Sequence, residues 1–218
     1  MDLPSGLSKP ALQVKPSLRL RRNRMYGLVL SGGKSSRMQQ DKGALIFQGQ
    51  TLRERTFRNL DTICKHVFYS LRDDQLLEPA LRKLNPAHII VDQLSDLGPA
   101  AALLAAYEKY PRENWFIVAC DFPLATAESF LNLAEHFSVA GNENEVVCYT
   151  HADGTPEPLF SVWRPQALQR LKESVSNQMT GPLYTLKKSE PLLITPHRSE
   201  WLTNTNTPDE WDAVKKIQ

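Results

Sequence analysis

No run of the sequence approaches the roughly 18 consecutive apolar residues that a membrane helix needs. The first residues, MDLPSGLSKPALQVKPSLRLRRNR, also lack the apolar h-region of a secretory signal. A cytoplasmic protein with no membrane partner is therefore expected. Cysteine is scarce: Cys64, Cys120 and Cys148 cannot all pair internally, and none stands in a C-x-x-C arrangement. That argues for a reducing compartment and against a structural zinc site. No G-x-G-x-x-G is present, which disfavours a dinucleotide-binding dehydrogenase. A P-loop is suggested by Gly33-Lys34-Ser35, but its first glycine would fall at Leu28, and Gly27 stands one residue too early. The five histidines show no H-E-x-x-H spacing and no evident nucleophile partner, so most of them read as structural.

What is present is a chain of 218 residues, 41% hydrophobic and 23% charged, with a formal net charge of +2. Such a chain can bury a full core as one large domain or two small ones, and disorder is excluded by the recurring apolar runs. No composition break calls for a second domain. Charge is unevenly placed, because residues 1–24 carry six Lys/Arg against one Asp. Simple electrostatics would let this tail meet nucleic acid or anionic lipid. It holds no aromatic residue on which a base could stack, so it reads as a flexible, solvated basic extension with no nucleic-acid partner expected. The folded domain is placed at 25–218.

From Met25 onward, short β-branched or aromatic runs alternate with longer amphipathic stretches, the pattern of repeated βα units. Strands are expected at Tyr26–Leu30, His66–Leu71, His88–Val91, Trp115–Ala119, Glu145–Tyr149 and Leu159–Trp163. Helices are expected at Leu52–Cys64, Asp74–Leu84, Ala100–Tyr110, Ala127–Phe137, Pro165–Ser174 and Pro208–Ile217. Loops are expected at Gly141–Asn144 and His151–Pro158, and Ser189–Ser199 is weakly patterned. The run WFIVAC is apolar on consecutive residues, as in a strand covered on both faces. The expected fold class is α/β: an open, mostly parallel sheet with helices on both faces. Sheets of that kind bind ligands at the carboxyl ends of their strands, which directs attention to the polar residues there.

After the first strand comes SGGKSSRMQQDKGAL. Gly32 and Gly33 allow backbone N–H groups to approach phosphate oxygens, and Arg37 and Lys42 supply countercharge; an ordinary turn is the alternative. In WFIVACDFPL an apolar strand delivers Asp121 to its end, where one carboxylate suits magnesium, a hard cation that also takes phosphate oxygens and water. Capping of the next helix is the alternative for Asp121. Asp92 ends another strand, ahead of a helix opened by Gly98-Pro99, and is placed to accept hydrogen bonds from a base or ribose; a turn role for Asp92 and Asp96 is the alternative. In TNTNTPDEW, Thr207 and Pro208 start a helix, and Asn204 and Asn206 offer amide oxygens to a nucleotide or metal, or simply form the turn.

Taken together, LSGGKSSRMQQDKGAL, VDQLSDLGPAAALLAA, WFIVACDFPL and TNTNTPDEW resemble, in order, the motifs of the molybdenum cofactor guanylyltransferase family of MobA-like nucleotidyltransferases. The resemblance covers nearly all of residues 25–218. It implies a Rossmann-like three-layer fold and transfer of GMP from GTP to the phosphate of molybdopterin, with Mg2+ as cofactor and pyrophosphate released. By the same resemblance Leu30, Ser31 and Gly32 would hold the guanine and ribose, Lys42 the GTP phosphate, Asp92 the base region, and Asp121 magnesium and GTP together. Ser70 falls where the family often has a polar nucleotide contact. Transient contacts with proteins that deliver molybdopterin and accept the product are implied as well.

Two residues depart from the family's pattern: Gln39 and Ala102 stand where glycine is usual, each adding a side chain near the expected substrate. A neighbouring reading is a cytidylyltransferase using CTP. Relatives of that kind tend to have Ala-Ala-Gly where this chain has Ser31-Gly32-Gly33, and the extra room at Gly32 favours a purine. A noncatalytic nucleotide-binding module with the tail as docking arm is a third reading.

Overall fold

The computed structural model describes residues 25–31, 41–92, 94, 97–179 and 181–217. Strands β1 (Met25–Leu30), β2 (Ile46–Phe47), β3 (Gln50–Thr51), β4 (Val67–Arg72), β5 (Ile89–Asp92), β6 (Asn114–Ala119), β7 (Val146–Thr150), β8 (Pro156–Trp163) and β9 (Leu192–Ile194) alternate with helices. The helices are α1 (Leu52–Asp61), α2 (Pro99–Lys109), α3 (Ala127–Val139), α4 (Pro165–Ser176), α5 (Pro182–Lys188) and α6 (Pro208–Lys215).

Among the described residues the main sheet runs β5-β4-β1-β6-β8-β7-β9, with β5, β4, β1 and β6 mutually parallel. Only β8 is antiparallel to its neighbours, so the sheet is mostly parallel as expected. Its strands are apolar on both sides because each side is covered. Val29, Phe116 and Val118 face a core with Leu60 of α1, Phe130 and Leu133 of α3 and Trp211 of α6. Leu28, Trp115 and Ile117 face another with Leu103 of α2, Leu168 of α4 and Leu186 of α5. Both layers exclude water from the same strands, which is the arrangement that consecutive apolar residues favour. No described helix is long and apolar enough to cross a membrane.

Three expectations are corrected. The helix expected at Asp74–Leu84 is two 3-10 turns, Asp73–Leu77 and Leu81–Lys83. Pro79 explains the break: it lacks an N–H and disfavours helical backbone at Glu78, which is extended at φ −70°, ψ 126°. The loop expected at His151–Pro158 is shorter, since β8 begins at Pro156, a strand's first position, where proline is tolerated. The weakly patterned Ser189–Ser199 holds β9, which pairs with β7 alone. Two elements were not anticipated. The β2–β3 hairpin turns through Gln48 and Gly49, both at positive φ, the backbone of tight hairpin turns. α5 is too short for a 3.6-residue period to register, and it opens on Pro182.

Candidate active site

The chain passes from β1 to β4 and β5 on one side of the sheet, then crosses to β6 on the other side of β1. That reversal opens a crevice above the carboxyl ends of β1 and β6, the usual ligand position in open α/β sheets. Leu30 and Ser31 stand on one wall. Asp121, two residues beyond β6, stands on the other, and the Cys120 amide donates to the Leu30 carbonyl at 3.2 Å to hold the walls together.

Lys42 enters from the segment after β1. It begins a 3-10 turn, Lys42–Ala44, capped by Asp41, whose Oδ1 accepts from the Gly43 amide at 2.9 Å. The Lys42 ammonium donates to Asp121 Oδ2 at 3.1 Å and to Asn206 Oδ1 at 2.6 Å. Both partners of the ion pair are largely buried, at 17% and 15% side-chain exposure. Loss of water raises the Asp121 pKa, and the Lys42 charge, its hydrogen bond and a smaller contribution from Asn204 only partly oppose the rise. Thr205 anchors the last segment here, its amide donating to the Asp121 carbonyl at 3.1 Å.

Several buried oxygens around the crevice have no hydrogen-bond partner: Asp121 Oδ1, Asn204 Oδ1, Thr205 Oγ1, Ser31 Oγ and Ser70 Oγ. Buried polar atoms are rarely left open unless something else meets them. For a magnesium ion the donor chemistry fits. Asp121 Oδ1 and Asn204 Oδ1 are hard oxygens, and magnesium asks for one or two carboxylates, with phosphate and water completing its shell. No group of three or more His, Cys, Asp or Glu residues suited to a metal occurs among the described residues.

Ser70 and Asp92 lie farther along the same rim, on β4 and β5. Three inter-strand steps separate β5 from β6, about 14 Å at ordinary strand spacing. Gln75 ties the two halves together: its Nε2 donates to the Ser31 carbonyl at 3.2 Å and its Oε1 accepts from the Arg72 amide at 3.0 Å. Asp92 is in register with Arg72. Burial raises the Asp92 pKa, against the pull of its own backbone amide and the Arg72 charge, and Asp92 Oδ1 is buried with no partner. Arg72 spends Nε and Nη2 on Asp74, each at 2.9 Å.

Of the residues expected from sequence, Leu30, Ser31, Lys42 and Asp121 gather at the crevice, with Ser70 and Asp92 along its rim. Gly32, Gly33, Arg37 and Gln39 lie outside the described residues. Ala102 is buried in the core formed by α2, so its methyl packs against protein. Sequence reasoning missed Asp41, Arg53 and Gln75. Asp41 carried a signal in its place before Lys42; Arg53 and Gln75 read as ordinary polar residues.

The MobA-like NTP transferase domain family matches residues 27–189. A molybdenum cofactor biosynthesis bifunctional protein of Synechocystis sp. is 32% identical over 191 residues, covering 87% of this chain. The chain spans 53% of that relative's length. A probable molybdenum cofactor guanylyltransferase of Carboxydothermus hydrogenoformans is 29% identical over 199 residues, covering 87% of this chain and 94% of its own. In fold, the chain is similar to the molybdopterin-guanine dinucleotide biosynthesis protein A of Archaeoglobus fulgidus, with TM-score 0.72 and 22% identity over 88% of this chain and 98% of that one. A cytidylyltransferase of Francisella tularensis shares the fold at TM-score 0.66 and 12% identity, over 89% of this chain and 100% of its own. The match over residues 27–189, which runs from within β1 to the end of α5, places this chain in the MobA-like NTP transferase domain family, as a nucleotidyltransferase.

Proposed function

We propose that the protein transfers GMP from GTP to the terminal phosphate of molybdopterin and releases pyrophosphate. The observation that carries this reading is the Lys42–Asp121 pair at the crevice between β1 and β6, with Asp121 Oδ1 left open. Two curated relatives similar over most of their length are named as probable guanylyltransferases of the molybdenum cofactor, which supports the choice of substrates.

In this reading the guanosine lies along the rim, with Ser31, Ser70 and Asp92 beside base and ribose and the triphosphate over Lys42. Asp121 Oδ1 and Asn204 Oδ1 would hold magnesium, which supplies neutralising charge to phosphate oxygens. Lys42, with Arg37 from the sequence that follows β1, meets the charge that grows on the bridge to pyrophosphate. The attacking oxygen belongs to a phosphate already ionised near neutral pH, so no side chain need act as general base. The walls contribute orientation, holding acceptor and α-phosphorus in line.

The test is pyrophosphate release with molybdopterin and magnesium, using GTP, CTP, ATP and UTP in competition. Preferential use of GTP, slowed about 10²- to 10³-fold in Lys42→Met and Asp121→Asn, is the expected result. Preference for CTP would replace the reading with a cytidylyltransferase, and binding without turnover would replace it with a noncatalytic module.

A further inference from the structure

Arg53, in the first turn of α1, is 4% exposed and takes no part in the chemistry above. Burial lowers its pKa, and a guanidinium so placed is costly to the fold unless its donors are used. Its Nη2 forms an ion pair with Asp41 Oδ2. Nε and Nη2 lie against the turn that carries Lys42, since a Cβ added at Gly43 would sit 2.9 Å from each and from Ser31 Oγ, while Nη1 is buried with no partner. One side chain thus touches both residues that flank Lys42.

The Asp41 carboxylate is divided between two tasks. Oδ2 meets Arg53, while Oδ1 caps the turn through the Gly43 amide. With Asp41 pinned from below and Gly43 seated on the guanidinium, the direction of the Lys42 side chain is set at its own backbone. At the far end of that side chain are Asp121 and Asn206. We propose that Arg53 is a positioning residue for Lys42, acting through Asp41 and Gly43 to hold the ammonium over the crevice. The catalytic consequence rests on the reading of Lys42 as a phosphate-binding group; the positional one does not.

The test begins with ligand-free, full-length protein. Lys42 is labelled with limiting acetic anhydride and its rate is compared with that of the exposed Lys216 by peptide mass spectrometry. Arg53→Met is expected to speed Lys42 labelling about fivefold, the scale on which one hydrogen bond biases an equilibrium. Asp41→Asn, which still caps the turn but has lost its charge, is expected to fall between Arg53→Met and wild type, and it carries the test if Arg53→Met fails to fold. Unchanged labelling in both folded variants would overturn the proposal. In turnover assays, Arg53→Met is expected to raise KM for the magnesium–triphosphate complex while circular dichroism shows a complete fold. It is expected to cause no further loss in a Lys42→Met background, because coupled residues are not additive. Additive losses would show that Arg53 acts independently of Lys42 and would also overturn the proposal. A wild-type protein that binds no nucleotide would refute the proposed function, and the labelling rates would still decide the role of Arg53.

Discussion

Lys42 and Asp121, 79 residues apart in the chain, meet at 3.1 Å across the crevice, and the carboxylate keeps its second oxygen free. Asp121 has a raised pKa, so its surroundings cost the charged form more in desolvation than Lys42 returns. A charge retained against that cost is a candidate for function.

Asp121→Asn separates the two consequences. A carboxyl with a raised native pKa binds its proton more tightly folded than unfolded, so stability is lost as pH rises from the ordinary value of 3.8 through the native one. The asparagine variant does not carry that loss. It is expected to melt above wild type at pH 7, with the difference shrinking as pH falls toward 3.8, while turnover drops about 10²- to 10³-fold, the usual cost of losing one group that meets transition-state charge. Thermal melts across pH, beside pyrophosphate release, check both. A variant that melts below wild type at pH 7 would show that the ion pair outweighs its desolvation.

Gly43→Ala places a methyl where the structure has no room, 2.9 Å from the Arg53 guanidinium and from Ser31 Oγ. Arg53 is itself buried and paired, so it has little freedom to yield. The expected cost is about 1–3 kcal/mol, the range for overpacking a tight site. A urea denaturation midpoint measures it; a midpoint equal to wild type would mean that the turn shifts freely and that Lys42 is not held from below.

Much of this was legible in the sequence because it is periodic or local. Strands such as WFIVAC are fixed by consecutive apolar residues, and Thr207-Pro208 announces the start of α6 by cap chemistry alone. Lys42 and Asp121 were recognisable as residue types at strand ends. Their partners were not. Arg53 stands in LRER at the start of an amphipathic helix and looks solvated until β1 and the Asp41 turn are folded over it. Gln75 lay inside a stretch that seemed helical until Pro79 is given its full weight, and its bridge from Ser31 to Arg72 exists only because the 3-10 turn brings it back over β4. Tertiary placement, not local pattern, chose these residues.

The three thiols should be silent in the folded protein. Burial pushes Cys120 and Cys148 up to about 12, and Cys64 is raised by the same cause. Thiolate is the reactive form, so an aromatic disulfide reagent at pH 8 is expected to modify none of them natively and all three in guanidinium. Reaction of Cys120 in native protein would show that the wall beside Asp121 opens to solvent.

The capping box of α6 links the C-terminal helix to the crevice, and its two halves should separate by pH. Thr207 Oγ1 accepts from the Glu210 amide at 3.3 Å, while Glu210 Oε2 accepts from the Thr207 amide at 3.0 Å and the Asn206 amide at 2.6 Å. The last bond fixes the backbone that carries the Asn206 side chain to Lys42. Hydrogen bonding to these amides, that of Asn206 foremost, lowers the Glu210 pKa. A lowered carboxyl contributes stability above its ordinary value of 4.5 and loses it as pH falls through the native value. Thr207→Ala, which removes a neutral cap, is expected to cost about 1 kcal/mol at pH 7 and at pH 3 alike. Glu210→Gln keeps an acceptor oxygen and removes only charge, so it should lower the melting temperature at pH 7 by a margin that shrinks as pH falls below 4.5. If the two variants respond to pH in the same way, the Glu210 charge does not contribute to holding Asn206, and the tie between α6 and Lys42 is carried by the threonine alone.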